Sequence, residues 1–492
     1  MKITSCFVLL SFASLACAQG LRPSRKPLVD SDSLRRTIKG SNLLKHARKF
    51  VEFSKLSNGT RVFGSAGHTA TTNYIKRVLD ATGYYDTELQ TFPYLFSTGT
   101  ASLAANGTTF TTGYLSYAPS GDVTAPLVVV NDLGCNASDY PAAVAGGIAL
   151  VLRGVCPFGE KVARAGAAGA VGTIVYNNLD GSVPGGTLGE ISRPEIGPYV
   201  PAGTLSGIDG TALVALINSG TEVVGEFHVE AINEERLSSN VFATTKLGDH
   251  ENVIVAGGHS DSVVAGPGIN DDGSGTMGIL EVALQLPKWR VNNAVRFAFW
   301  TAEEFGLIGS EYYISHLPEE ERQKIALYLN FDMIASPNTA FFIYSGVNEP
   351  AGSVHIHETF EEHYVGKIKT ALTPFGTGSD YRPFLDVGIP SGGLFTGAGG
   401  IMTEEQAGWW NAQAGVAYDI CYHQACDGIA NLNVSAWELN TRGAAHNIAT
   451  YARSLEGIPR PRVSVPARTL KLADLSYEER LHQACSHEVS VV

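Results

Sequence analysis

The stretch Asn252-Val-Ile-Val-Ala-Gly-Gly-His259-Ser-Asp261, followed by the loop Gly266-Pro-Gly-Ile-Asn-Asp-Asp-Gly-Ser-Gly275, decides the fold class. Val253 to Gly257 is an apolar run without polar alternation, the pattern of a strand covered on both faces. It runs directly into an imidazole, a carboxylate and a glycine-rich turn. Two more runs have the same form: Val295 to Thr301 leads into Glu303 and Glu304, and Leu327 to Phe331 leads into Asp332. Helical stretches separate the three. This alternation predicts an α/β protein with a mixed, largely parallel sheet flanked by helices. In such open sheets ligands collect outside the carboxyl ends of the strands, where loops converge on one crevice.

N-terminal to this region, Leu43 to Leu56 and Thr69 to Ala81 are helical in period, and a strand from Asp86 to Phe92 is expected to stop at Pro93. Between about Ala101 and Glu226 the composition shifts to Gly, Ala, Val and Thr. Leu127 to Val130, Ile148 to Leu152 and Gly172 to Tyr176 read there as short strands of a small β-rich insertion. The organisation expected is a catalytic domain in two parts, residues 40–110 and 229–457, interrupted by an insertion over 111–228 and followed by an extension over 458–492.

The first residues carry Lys2, an apolar run from Cys6 to Ala16, and Ala16-Cys17-Ala18 before Gln19, the pattern of a signal peptide over 1–18. The run is too short to span a bilayer, which needs roughly 20 apolar residues. A secreted protein without a membrane anchor is expected. Residues 19–39 are basic and proline-bearing, and read either as a removable pro-segment with Arg35-Arg36 as cleavage candidate or as a retained arm.

Of seven cysteines, Cys6 and Cys17 leave with the signal peptide; proximity in an oxidising compartment suggests Cys135 with Cys156 and Cys421 with Cys426, leaving Cys485 over. Asn58, Asn106, Asn136 and Asn433 each open a glycosylation tripeptide. A net charge of −13 without basic runs in the body excludes nucleic acid as the expected partner.

The three strand ends place His259, Asp271, Glu303, Glu304 and Asp332 toward one crevice. Neutral imidazole with carboxylates suits Zn²⁺, and more carboxylates than one ion needs suggest two ions sharing a bridge. Asp271, in its glycine-flanked loop, is the natural bridging candidate. A fifth ligand candidate is His423 in Cys421-Tyr-His-Gln-Ala-Cys426, where a short disulfide would pin His423 and Tyr422 on a tight loop. His68, His316 and His446 lie outside these clusters and read as ordinary histidines.

Gly258-His-Ser-Asp-Ser-Val, Gly268-Ile-Asn-Asp-Asp-Gly-Ser-Gly, Trp300-Thr-Ala-Glu-Glu-Phe-Gly-Leu-Ile-Gly-Ser, Asn330-Phe-Asp-Met-Ile and Tyr422-His together resemble the co-catalytic zinc aminopeptidases of peptidase family M28, over roughly Leu43 to Ser454. The resemblance implies two zinc ions per monomer, with His259 and Asp332 on the first, Glu304 and His423 on the second, and Asp271 bridging. It implies Glu303 as general base, Tyr422 as hydrogen-bond donor to the oxyanion, Asp261 as the residue orienting a ligand histidine, and a cis peptide between Asp271 and Asp272.

Arg153-Gly-Val-Cys-Pro-Phe-Gly-Glu-Lys161, Ala165-Gly-Ala-Ala-Gly and Val175-Tyr-Asn-Asn resemble the protease-associated domain, whose role here is substrate access or passive spacing. Gly378 stands where relatives commonly carry arginine. Asn431-Leu-Asn-Val-Ser-Ala lacks the acidic residues with which some relatives bind calcium, so none is expected.

The activity implied is release of N-terminal, preferentially apolar residues from peptides with a free N-terminus by a monomeric enzyme. Gly392 to Gly397 would either line the apolar pocket or form a buried strand and turn. Alternative activities on the same scaffold are another metal-dependent hydrolase or cyclase, or a metal-free receptor-like module.

Overall fold

The computed structural model describes residues 26–183, 186–189 and 191–462. The expected signal peptide, Cys485 and the expected extension beyond residue 462 lie outside them.

Among the described residues fifteen strands form one continuous sheet. Its centre is parallel: Asn293–Trp300, Asp249–His259, Ile325–Phe331 and Ser391–Phe395 are consecutive neighbours. The three apolar runs are thus adjacent strands, and their registers align the carboxyl ends, with His259 opposite Trp300 and Gly257 opposite Asn330. Every residue of Ile325–Phe331 is buried, as expected of a strand covered on both faces. The helices Gly40–Ser54, Ala66–Asp80, Gly273–Gln285 and Val434–Arg453 contribute Phe50, Ile75, Ile279 and Trp437, all fully buried, to the larger core against the strands. On the other face Trp300, Tyr328, Phe384 and Tyr313 form a second, aromatic core.

The expected stop at Pro93 does not occur. Tyr85–Ala105 runs 21 residues and pairs antiparallel with Val224–Thr245 from Tyr85 opposite Thr245 to Ala105 opposite Gly225. Proline lacks a donor, but at Pro93 the strand has a partner on one side only, the position a sheet edge can spare. This ribbon joins the two sheet regions. Its near end pairs through Val241 to Thr244 with Phe299 to Arg296, and its far end pairs through Val224 to Val229 with Pro126 to Gly121 of the insertion.

Within the insertion, Gly121–Val129, Ile148–Leu152, Gly172–Tyr176 and Ala202–Leu205 are parallel neighbours. The helices Phe158–Ala167 and Gly207–Asn218 accompany the strands of this small β-rich insertion. Cys135 and Cys156 are disulfide-bonded beside the first of these helices. Asn58, Asn106 and Asn136 are exposed. Asn433 is only half-exposed and committed: its side chain caps Val434–Arg453 by accepting from the Ala436 amide, and its Nδ2 donates to Thr339.

The described part of the basic N-terminal stretch is built into the catalytic core. Val29, Leu34 and Ile38 are fully buried in the larger cluster. The Val29 amide donates to Arg290 O, and the Arg290 amide donates to Pro27 O. Arg35 and Arg36 lie in the helix Ser31–Thr37, where Arg35 donates to Asp32 and contacts His363 Nδ1. Cleavage at Arg35-Arg36 would separate Val29 and Leu34 from the core they fill, which speaks for a retained arm.

Candidate metal centre

His259 is the last residue of its strand, Glu303 and Glu304 follow Asn293–Trp300 by a three-residue step, and Asp332 directly follows Ile325–Phe331. Left-handed backbone at Ala302 (φ 55°), Met333 (φ 50°) and His423 (φ 56°) turns the chain sharply at these points. Non-glycine residues adopt this region at a cost and concentrate where a site demands it. The peptide Asp271–Asp272 is cis.

These elements bring all five expected ligands together. His259 Nε2 lies 3.3 Å from Asp271 Oδ1 and 3.6 Å from Asp332 Oδ1. His423 Nε2 lies 3.1 Å from Asp271 Oδ2 and 3.1 Å from Glu304 Oε2. Asp271 therefore turns one carboxylate oxygen to each histidine. Glu303 Oε2 is 3.7 Å from His259 Nε2, beside the cluster. Asp261 accepts from the Glu303 amide and lies 3.6 Å from His259 Nδ1, so it touches both the base candidate's backbone and a ligand candidate's ring.

The loop Cys421 to Cys426 is closed by its disulfide, and the rings of Tyr422 and His423 stack at 3.8 Å. Burial, then the charges of Asp271, Glu304, Glu303 and Asp332, raise the Tyr422 phenol well above its usual range, which keeps its proton on oxygen beside the cluster.

The donor set fits a divalent cation. Among the described residues both ring nitrogens of His259 and one oxygen of Glu304 are buried without a hydrogen-bond partner, an arrangement that costs free energy unless something else satisfies them. Carboxylates outnumber imidazoles. Burial, reinforced by Asp332, Asp380 and Glu304, pushes the Glu303 carboxyl well up; burial followed by Asp271 raises Glu304. Among the described residues two groups of ligand atoms are close enough to hold an ion: His259 with Asp271 and Glu304, and His259 with Asp272 and Asp332. Asp272 is the poorer ligand of the two adjacent aspartates. Its oxygens already accept from the amides of His259, Gly275 and Met333, whereas Asp271 keeps both oxygens toward histidines.

Several supporting residues escaped the sequence reading. A hydrogen-bond chain crosses the sheet from Trp300 Nε1 to Tyr328, from Tyr328 to Asn330, from Asn330 to Ser379, and from Ser379 Oγ to Asp332 Oδ2 at 2.6 Å. Its trace was the period of two in Tyr328, Asn330 and Asp332, which places them on one face. Asp380, next to Ser379, is fully buried, and burial raises its carboxyl to about 8.

Asp427 accepts from the amides of Asn270 and Asp271, Asp419 accepts from the Cys421 amide, and Asn431 donates to both. This group ties the Asp271 loop to the His423 loop. His68, read as ordinary, is buried, and its Nε2 lies 2.9 Å from Ser260 Oγ, next to His259. His316 is on the surface, while His446 is largely buried against Ser31. Gly392 to Phe395 belongs to the buried strand Ser391–Phe395.

An open α/β sheet whose strand ends set two histidines against the two oxygens of one aspartate has an architecture suited to binding a metal ion. Sequence comparison narrows the class. The model of peptidase family M28 matches residues 240–448, and that of the PA domain matches residues 123–213. The chain is 47% identical over 459 residues to a probable leucine aminopeptidase 2 of Aspergillus fumigatus, covering 92% of this chain and 91% of the relative. It is also 47% identical over 443 residues to leucine aminopeptidase 2 of Trichophyton rubrum, covering 88% of each. Among solved structures, an aminopeptidase from Aneurinibacillus sp. strain AM-1 matches with a TM-score of 0.68 and 27% identity, over 89% of this chain and 98% of that one. A zinc aminopeptidase from Bacillus subtilis shares the fold at a TM-score of 0.58 and 23% identity, over 89% of this chain and 100% of that one. The chain belongs to peptidase family M28.

Proposed function

We propose that this protein is a zinc aminopeptidase that releases N-terminal residues from peptides, with leucine-like apolar residues preferred, and that it holds two zinc ions per chain. The observation that carries the reading is the Asp271 carboxylate, which faces His259 with one oxygen and His423 with the other. Asp332 and Glu304 complete the two halves, so His259 and Asp332 would hold one ion, Glu304 and His423 the other, and Asp271 both. Zinc held there supplies Lewis acidity toward a carbonyl and toward water.

The chain's own groups supply the rest. Glu303, beside the ligands but outside their set, takes a proton from the attacking water at its carboxylate and delivers it to the departing amine. Asp261 fixes the Glu303 backbone and faces His259 Nδ1, orienting both. The Tyr422 hydroxyl, protonated and set beside the cluster by the disulfide loop, donates to the oxyanion as charge develops on it. The relatives' names include leucine aminopeptidase, which supports an apolar N-terminal residue as substrate.

Two disulfides support maturation in an oxidising compartment and hence secretion by the expected signal peptide. Among the described residues no helix is long and apolar enough to cross a membrane. Glycans on the exposed Asn58, Asn106 and Asn136 and a monomeric state complete the reading.

The test is a rate profile over aminoacyl amides, with and without a chelator. Leucine amide should be cleaved fastest, and the chelated protein should be inactive until zinc is restored. Unchanged rates after chelation would refute the reading.

A further inference from the structure

The loop from Ser260 to Asn270 contains neither helix nor strand, yet it joins two ligand candidates, His259 and Asp271, whose Nε2 and Oδ1 atoms stand 3.3 Å apart. An irregular loop ordinarily lies on the surface and moves. This one is largely buried, so its carbonyls need partners inside the protein.

Arg61, from the distant segment before the helix Ala66–Asp80, provides them. Its side chain is fully buried. Nε donates to Pro267 O at 2.8 Å, one terminal nitrogen donates to Gly268 O at 2.5 Å, and the other donates to Ser260 O. Its own amide donates to Ser262 Oγ at 2.8 Å, and that hydroxyl in turn reaches Gly266 O. One residue therefore binds both ends of the loop. The fit leaves no slack: Gly268 has φ +58°, and a Cβ there would stand 2.2 Å from Asp271 O and 3.2 Å from the guanidinium.

Stability alone does not account for this choice. A buried charge is costly unless well satisfied, and an apolar residue of similar volume fills such space at least as well. Among the described residues Arg61 makes no ion pair with a carboxylate; Asp261, Asp427, Asp272 and Glu304 act on it through space. Phe50 covers the guanidinium at 4.9 Å. What arginine adds is a planar fork matching carbonyls that converge from two parts of the loop.

We infer that Arg61 is a positioning residue that fixes His259 and Asp271 at metal-binding distance by clamping the loop between them, with Ser262 as its second anchor. The inference rests on the zinc reading of the site.

The test measures zinc affinity of the purified full chain by competition with a chromogenic chelator, for wild type, Arg61→Lys, Arg61→Met and Ser262→Ala, alongside melting of each protein in its metal-free form. Loss of an outer support to metal ligands typically weakens metal binding by about 10–100-fold. The clamp predicts that range for Arg61→Met, a smaller loss for Arg61→Lys, and about tenfold for Ser262→Ala. Folded variants that bind zinc within about twofold of wild type would overturn the clamp, however far their metal-free melting had dropped. Should Arg61→Met not fold, the other two variants decide by the same criterion. Wild-type protein that bound no zinc would instead refute the metal reading on which the clamp depends.

Discussion

Nε2 of His423 stands 3.1 Å from Oδ2 of Asp271, although one residue lies on a disulfide-closed loop near the end of the catalytic region and the other on the loop following its first parallel strand. The other Asp271 oxygen meets His259. One carboxylate thus joins two halves of a site that chain folding brings together from opposite ends of the domain.

Glu303 is assigned proton transfer and no metal. Replacing it by glutamine preserves its volume and removes the base, so kcat should fall by about 10²–10⁴-fold, the usual contribution of a positioned acid–base group. Zinc content should not change. Steady-state rates paired with metal analysis decide this; a large loss of zinc in Glu303→Gln would place the residue among the ligands instead.

Ser379 donates to Asp332 and receives the Asn330 side chain. In Ser379→Ala the carboxylate loses an orienting donor and a buried amide loses its acceptor. Zinc affinity should weaken by about tenfold or more, and melting should shift down as expected for about 1–3 kcal/mol of unsatisfied polar burial. Calorimetry of metal-loaded and metal-free protein separates the two effects.

The arm around Ser31–Thr37 is predicted to remain in the mature enzyme. Leu34 is fully buried, so Leu34→Ala should cost about 2–5 kcal/mol. A chain beginning at Thr37 should be markedly less stable or fail to fold. Intact-mass analysis of the mature protein should locate its N-terminus before Pro27; a terminus at residue 36 or 37 would contradict the assignment.

Stability should depend on pH through the histidines that hold this arm. His363 contacts Arg35, and His446 contacts Ser31. Burial, then the neighbouring Lys367 and Arg35, lowers His363 to about 3, and burial followed by Arg35 and Lys367 lowers His446 to about 4; Asp32 opposes this at His446, and Glu362 also lies nearby. A histidine whose folded pKa is depressed binds its proton more readily when unfolded, so stability rises with pH. The contribution is full above about 6.5 and is lost as pH falls from there toward about 4 for His446 and about 3 for His363. Denaturant midpoints measured over this range should decline in wild type and decline less steeply in His363→Gln.

The parallel core was legible because a strand buried on both faces must be continuously apolar, and because Val253 to Gly257, Val295 to Thr301 and Leu327 to Phe331 each end in residues that chemistry would otherwise keep from such a place. The bridging role suggested for Asp271 followed from its glycine-flanked loop, whereas His423 depended on family resemblance. What stayed hidden acts across long sequence separations. Nothing local distinguishes Arg61 from a surface arginine or His68 from a surface histidine, since each is defined by a loop about 200 residues away. Pro93 misled for a related reason: proline stops a strand only where a partner needs its missing donor, and edge position is a property of the sheet. The sequence left open whether the stretch carrying Val29 and Leu34 is removed or retained, because its charges are locally dense while its apolar residues are sparse.

If Asp271 joins two metal positions, zinc stoichiometry must show it. After exhaustive dialysis against metal-free buffer and reloading with zinc, wild-type protein should retain two zinc ions per chain by elemental analysis, and Asp271→Ala should retain fewer than one while still folded. Wild type saturating at a single ion, or Asp271→Ala keeping both, would contradict the account.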